Sequence, residues 1–233
     1  MGAACGSDPV NGGPASSSPA GRVRVKFCGL TRIGDVAAAC AAGVDAIGLV
    51  MTRRSRRFVD LDQAAALRAA TAPFVAVVTL LLDDEPEWVR EVISRVAPDL
   101  LQFHGEETPD YCTAFDRRYL KAVPMASVAD VAAYARAHAQ AAGFLLDSHA
   151  AGGQGGSGVA FDWTRVPRDL GRPLLLAGGL DSGNVVRAVR TARPHAVDVS
   201  SGIETAPGIK SAQKMQQFMQ SLARAGADEE NQA

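Results

Sequence analysis

Cysteine is scarce in this chain, with four among 233 residues (Cys5, Cys28, Cys40, Cys112), and none forms a C-x-x-C pair or stands at metal-ligand spacing from the four histidines. This argues against a disulfide framework or a metal cluster and predicts free thiols in a reducing, cytoplasmic setting. Net charge is nearly absent too: a formal value of -1 excludes the global basic field that drives nucleic-acid binding. The longest apolar run, around Phe74 to Leu82, falls far short of the roughly 20 residues needed to span a bilayer. Met1 to Arg24 has neither a basic start nor an apolar stretch, so no secretory leader is expected. Gly6 occupies the Ser/Thr position that a myristoylation signal requires. A nucleotide-binding G-x-x-x-x-G-K-[ST] loop is missing as well.

What is present fits one large α/β domain. Residues 1–21 are rich in Gly, Ser, Pro and Ala, cannot bury enough surface to offset their ordering entropy, and predict a disordered tail; residues 226–233 predict a frayed end. Between them, short and almost continuously apolar runs read as parallel strands covered on both faces: Val23–Phe27, Ala46–Val50, Phe74–Thr79, Leu100–Phe103, Leu120–Val123, Phe144–Leu146, Leu174–Ala177 and Ala196–Val199. Ala-rich segments at helical spacing separate them: Ile33–Ala42, Leu61–Ala70, Pro86–Val96, Val128–Ala141, Asn184–Arg190 and Ala212–Ala223, with Pro109–Phe115 and Trp163–Val166 as weaker cases. Asp60 or Asp62, Pro86 and Ser127 supply start signals, and Gly43 and Gly143 sit where left-handed caps would end helices. Repeated βα units imply a single-domain (β/α)8 TIM barrel over residues 22–225. An open doubly wound sheet shares the repeat, but polar and Gly-rich clusters here follow nearly every strand instead of gathering at one switch point.

In a barrel the residues past the C-terminal end of each strand converge on one mouth. Gly178 and Gly179 after the seventh strand, with Ser200, Ser201 and Gly202 after the eighth, suit a phosphate: glycines allow close backbone approach and hydroxyls donate. Cys28 ends the first strand at that mouth, as a small core residue or as a base whose pKa the local field lowers. Asp147 ends the sixth after three apolar residues, as a helix cap or as a working acid. Strands one and six are three apart around an eight-strand ring, so the two groups would face each other. Gly152–Gly158 forms a lid or a linker. Arg53–Arg57 is a solvated run, or it turns one guanidinium inward to grip a carboxylate.

Taken together, Lys26-Phe27-Cys28-Gly29-Leu30-Thr31, Gln102-Phe103-His104-Gly105, Leu145-Leu146-Asp147-Ser148, Gly155-Gly156-Ser157-Gly158 with Phe161-Asp162-Trp163, Leu176-Ala177-Gly178-Gly179-Leu180 and Asp198-Val199-Ser200-Ser201-Gly202-Ile203-Glu204 resemble, in order, phosphoribosylanthranilate isomerase of tryptophan biosynthesis. That resemblance implies an Amadori rearrangement of a small phosphoribosyl substrate, with no cofactor or metal and with neither nucleic acid nor membrane as partner. It implies Asp147 as general acid, Cys28 as general base and Arg57 on the anthranilate carboxylate. Gln102, His104 and Asp198 would line the sugar and ring pocket, and Gly156, Ser157, Gly178, Gly179, Ser200, Ser201 and Gly202 would hold the phosphate. A related barrel that isomerises an aminoimidazole-carboxamide ribotide generally carries an aspartate where Cys28 stands, and a phosphate-binding barrel without catalysis would not need both Cys28 and Asp147. Departures from the family pattern fall at Arg53–Arg56, Val159 and Ser211. Monomer and homodimer are both left open.

Overall fold

A computed structural model describes residues 22–149 and 161–230. Eight parallel strands close into a barrel in chain order, the first pairing with the last. They are β1 (Arg24–Cys28), β2 (Ala46–Val50), β3 (Ala76–Leu81), β4 (Leu100–Phe103), β5 (Tyr119–Pro124), β6 (Gly143–Asp147), β7 (Leu174–Leu176) and β8 (Ala196–Val199). Helices α1 (Ile33–Ala41), α2 (Leu61–Ala69), α3 (Pro86–Val96), α4 (Pro109–Thr113), α5 (Val131–Ala137), α6 (Val185–Ala192) and α7 (Ala212–Glu230) lie on the outside, and a short hairpin of β9 (Glu204–Ala206) and β10 (Ile209–Lys210) follows β8. The main apolar core lies between strands and helices, with Phe27, Ile47, Phe103, Phe144 and Phe218 fully buried there. The barrel interior holds two small apolar clusters, Cys28–Val50–Leu80 and Ala122–Leu145–Ala177. Polar side chains fill much of the remaining interior.

Several boundaries differ from the sequence expectation for local reasons. Phe74, expected to open the third strand, is fully exposed with φ of 68°, so it belongs to the turn and β3 begins at Ala76. The helix expected from Val128 begins at Val131, because Asp130 and not Ser127 accepts the Ala133 amide as cap. Asp60 caps α2 through the Gln63 amide. Gly43 does take the left-handed conformation (φ 82°), whereas Gly143 opens β6, where a side chain would crowd the Pro173 carbonyl. Trp163–Arg165 makes only a 3-10 turn. The last helix continues to Glu230, through residues 226–230 that composition reads as frayed. The expected tail over 1–21 and the lid residues Gly152–Gly158 lie outside the described residues.

One buried ion pair fixes the loop after β4. Lys121 on β5 is fully buried and donates to Glu107 Oε2 and to the Gly105 carbonyl, both at 2.7 Å. Glu107 in turn accepts the amides of Gly105 and Asp83. The pair therefore ties β5 to the loop carrying His104. Removing one partner strands the other charge, so Lys121→Met is expected to cost about 3–5 kcal/mol in urea unfolding, and Lys121→Met with Glu107→Leu to recover much of it. Equal losses in the single and double variants would contradict this.

Candidate active site

Inward-facing side chains from most of the strands meet in one pocket at the C-terminal mouth, open to solvent. Cys28, Arg57, Gln102, His104, Asp147 and Asp198 all line it, as do Gly178, Gly179, Ser200 and Ser201. Gly202 does not. Its Cα is pressed against the Leu180 carbonyl, where an added Cβ would lie at 2.0 Å, so this glycine serves the packing of the turn after β8. Gly156 and Ser157 are outside the described residues.

Cys28 is 5% exposed and stands directly above a buried ion pair, Lys26 Nζ to Asp198 Oδ1 at 3.0 Å. Gly48 on the neighbouring strand makes room for both groups: a Cβ there would lie 2.8 Å from the Cys28 sulfur and 3.0 Å from Lys26 Nζ. Burial pushes the thiol pKa up and outweighs the opposing pull of Lys26; Asp198 raises it further, and Lys210 lowers it. The net direction is upward, opposite to the lowering expected from sequence. For Lys26 burial acts downward, but the neighbouring Asp198 carboxylate, with Cys28 behind it, more than offsets that, so the ammonium is retained.

Asp147 faces two imidazoles. His104 Nε2 lies 3.4 Å and His149 Nδ1 3.5 Å from the same oxygen, Oδ2, and the two rings stack with centroids 4.4 Å apart. The Ser148 hydroxyl donates to the other oxygen at 3.3 Å. Burial by itself raises the carboxyl pKa, yet hydrogen bonding and charge from the two histidines prevail and hold it well below the usual carboxylate range. Behind His104, the Gln102 amide nitrogen sits 3.1 Å from Nδ1. Donation from that amide leaves the hydrogen of a neutral ring on Nε2, toward Asp147.

Of the arginine run, Arg57 turns inward, while Arg53 stacks on Trp88 at 4.9 Å. Arg57 is not free: Nε and Nη2 both donate to Glu204 at 2.8 Å, which leaves Nη1 as the unengaged side of the fork. Glu204 also accepts from Lys210 at 2.7 Å, and Lys210 donates to the Ser200 carbonyl at 3.1 Å. Gly29 lets this happen. With φ of 75° it could carry no side chain without striking the Arg57 Cδ at 2.5 Å. On the opposite rim Gly178 and Gly179 both have positive φ, and a Cβ at Gly178 would strike Ser148. Two loops of exposed amides and hydroxyls result, of the kind that binds phosphate.

Lys26, His149, Glu204 and Lys210 are site residues that sequence reading missed. Lys26 and His149 had a signal: each lies two residues from a recognised candidate, Cys28 or Asp147, and so shares its face of the strand. Among the described residues His104, Asp147 and His149 also make up a possible metal-donor cluster, with donor atoms spread over up to 4.8 Å. Donors at about 2.0–2.1 Å on a tetrahedral ion lie only about 3.4 Å apart, so the cluster fits two rings aimed at one oxygen better than three ligands on one ion.

This closed barrel, with all its convergent polar side chains at a single mouth, has the build of a (β/α)8 enzyme acting on a small molecule. Comparison with known proteins narrows the class. Residues 25–221 match the family described as N-(5'phosphoribosyl)anthranilate (PRA) isomerase. A protein of that name from Stenotrophomonas maltophilia is 52% identical over 206 residues, covering 88% of this chain and 94% of the relative. The crystal structure of phosphoribosyl anthranilate isomerase from Thermotoga maritima superposes with a TM-score of 0.77 at 34% identity, covering 87% of this chain and 99% of that one. A further isomerase structure, in complex with reduced 1-(o-carboxyphenylamino)-1-deoxyribulose 5-phosphate, gives a TM-score of 0.74 at 32% identity, covering 87% and 99%. The chain belongs to the N-(5'-phosphoribosyl)anthranilate isomerase family. No helix among the described residues is long and apolar enough to cross a membrane.

Because the thiolate is the nucleophile, a raised pKa means slow alkylation of Cys28 at neutral pH. Mass spectrometry resolving each cysteine should show iodoacetamide labelling of Cys28 that climbs with pH beyond the ordinary thiol value of about 8.5. Lys26→Met should slow it further. Labelling of Cys28 at neutral pH as fast as that of a small free thiol would contradict the burial argument.

Proposed function

We propose that this isomerase converts N-(5'-phosphoribosyl)anthranilate into 1-(2-carboxyphenylamino)-1-deoxyribulose 5-phosphate, a step of tryptophan biosynthesis, with Asp147 as acid and Cys28 as base. The observation that carries the assignment of roles is that the thiol and the carboxyl line the same pocket from opposite sides of the barrel, on β1 and β6, with the glycine and serine loops of β7 and β8 at its rim. An aminated aldose needs a proton at its ring oxygen and a base at the adjacent carbon, and two fixed groups on opposite walls meet both needs. Asp147 delivers a proton to the ring oxygen as the C1'–O bond breaks, and the nitrogen lone pair closes to a cationic Schiff base. Cys28 removes the C2' proton, and the electron pair neutralises the nitrogen to give an enolamine that tautomerises to the ketone. The Arg57 Nη1 side of the fork meets the anthranilate carboxylate, while Glu204 sets the plane of the guanidinium. Gly178, Gly179, Ser200 and Ser201 hold the phosphate, with Gly156 and Ser157 as the lid's contribution. Gln102 and Asp198 act from behind, on His104 and on Lys26.

Burial keeps Cys28 a thiol at neutral pH although Lys26 and Lys210 lie in its field, so an added positive charge favours the thiolate. The Schiff base is such a charge. It appears beside the sulfur at the moment the base is needed.

Asp147→Asn and Cys28→Ala are each expected to slow turnover by about 10²–10⁴-fold while binding of the reduced product analogue changes little. A coupled fluorescence assay of anthranilate-ribotide loss checks the rate, and isothermal titration the binding. Wild-type-like rates in either variant would remove the assigned roles, and activity on an aminoimidazole-carboxamide ribotide alone would overturn the substrate.

A further inference from the structure

Resting on that assignment of Asp147, we infer that His149 is a positioning residue for the acid, which holds the proton that Asp147 delivers while His104 orients the carboxyl. Three observations carry it. His149 Nδ1 and His104 Nε2 both approach one oxygen, Oδ2, at 3.5 and 3.4 Å. Both nitrogens are buried, and among the described residues neither completes a well-aligned hydrogen bond. The rings stack at 22° between planes, so each limits the rotation of the other. His149 is itself fixed from behind, since the Ala126 amide donates to its carbonyl at 3.3 Å.

The chemistry needs such an arrangement. A carboxyl held strongly ionised is a poor acid, yet the reaction begins with a proton on the ring oxygen. A protonated His149 supplies one: as the ring oxygen approaches, the proton moves from its Nδ1 to Oδ2 and on to the substrate, leaving a neutral imidazole, while His104, whose Nδ1 accepts from Gln102, keeps its one hydrogen on Nε2. The same nitrogen recovers it when the ketone forms, so no proton is gained or lost over the cycle. Among the described residues, few groups face this trio. Ser148 approaches Oδ1, Gln102 backs His104, and Met125 and Ala126 after β5 offer only backbone amides. Gly178 after β7 presents no side chain, and Cys28, Arg57 and Asp198 stand elsewhere around the pocket. The proton therefore has the two imidazoles as its titratable neighbours on that wall.

His149→Asn and His149→Phe separate proton holding from packing, because Phe keeps the stacked ring and loses the nitrogen. Single-turnover rates from about pH 5 to about pH 9, with circular dichroism to check folding, are the measurement. Removing a holder makes the last proton of the group easier to lose. Both variants should therefore lose about tenfold or more in the chemical step, with the basic limb of the rate profile moved to lower pH and KM little altered. A uniform fall with an unmoved limb would assign His149 to packing alone, and unchanged rates would deny it any part; either result overturns the inference. Asp147→Asn, run in parallel, distinguishes the two levels. If it is inactive while His149→Asn behaves as wild type, only the role of His149 is lost, whereas an active Asp147→Asn removes the acid assignment itself.

Discussion

Alternate residues of a strand point to opposite faces, and in a closed barrel the inward set shares one interior that narrows to one mouth. Most of this site follows from that constraint. On β1 it places Lys26 one layer below Cys28; on β4 and just beyond, Gln102 below His104; on β6 and beyond, Asp147 below His149; and on β8, Asp198 below Ser200. Four of the pocket's polar groups thus have a polar neighbour two residues away along the chain. The Lys26–Asp198 pair joins β1 to β8, where the two strands also share backbone hydrogen bonds. Gln102 and His104 face the Asp147–His149 pair across the interior. Buried ion pairs contribute little net stability, because desolvation offsets their attraction. Their value here is positional: they fix charges in a pocket where a flexible, hydrated side chain could not be held.

In the resting protein the protons sit opposite to the way the reaction uses them. Burial leaves Cys28 a thiol, and two imidazoles leave Asp147 a carboxylate. The proposed roles need the reverse, an acid on β6 and a base on β1. The chemistry itself can invert them. Protonating the ring oxygen creates a cation whose field favours thiolate, and the thiolate then neutralises that cation by taking the C2' proton. A thiol that stays protonated until this point is also protected from adventitious alkylation and oxidation, which act on the thiolate. The raised pKa of Cys28 thus fits a base that is generated when required.

The alternation of short apolar runs with Ala-rich helical segments made the barrel legible, since few folds accommodate eight such units in about 200 residues. Cys28, Gln102, His104, Asp147 and Asp198 were legible because a polar residue at the end of an apolar strand has an energetic cost that function explains. Lys26 and His149 were missed although their spacing exposed them. A lysine before Phe27 reads as a strand edge, and a histidine opening a Gly-rich stretch reads as loop, unless strand parity is carried past the strand end. The Arg57–Glu204–Lys210 network had no such local signal. Its members come from a loop after β2 and from both strands of a hairpin that composition does not announce, and only the closure of the barrel, which seats β1 between β2 and β8, brings them together. At Gly202 a local packing demand is visible that the motif did not announce: its hydrogen is needed to clear the Leu180 carbonyl.

The departures at Arg53–Arg56 can be weighed on the same grounds. Arg53 stacks on Trp88, and of the four arginines in this run only Arg57 lines the pocket. Arg57 is held by the two hydrogen bonds it donates to Glu204, and Glu204 is fixed by Lys210 and by the Gly208 amide. A guanidinium clamped on one edge presents the other at a fixed angle and loses little rotamer freedom on meeting a carboxylate. Variation among the neighbouring arginines is therefore compatible with unchanged recognition, provided the Glu204 clamp and the side-chain-free path over Gly29 are kept.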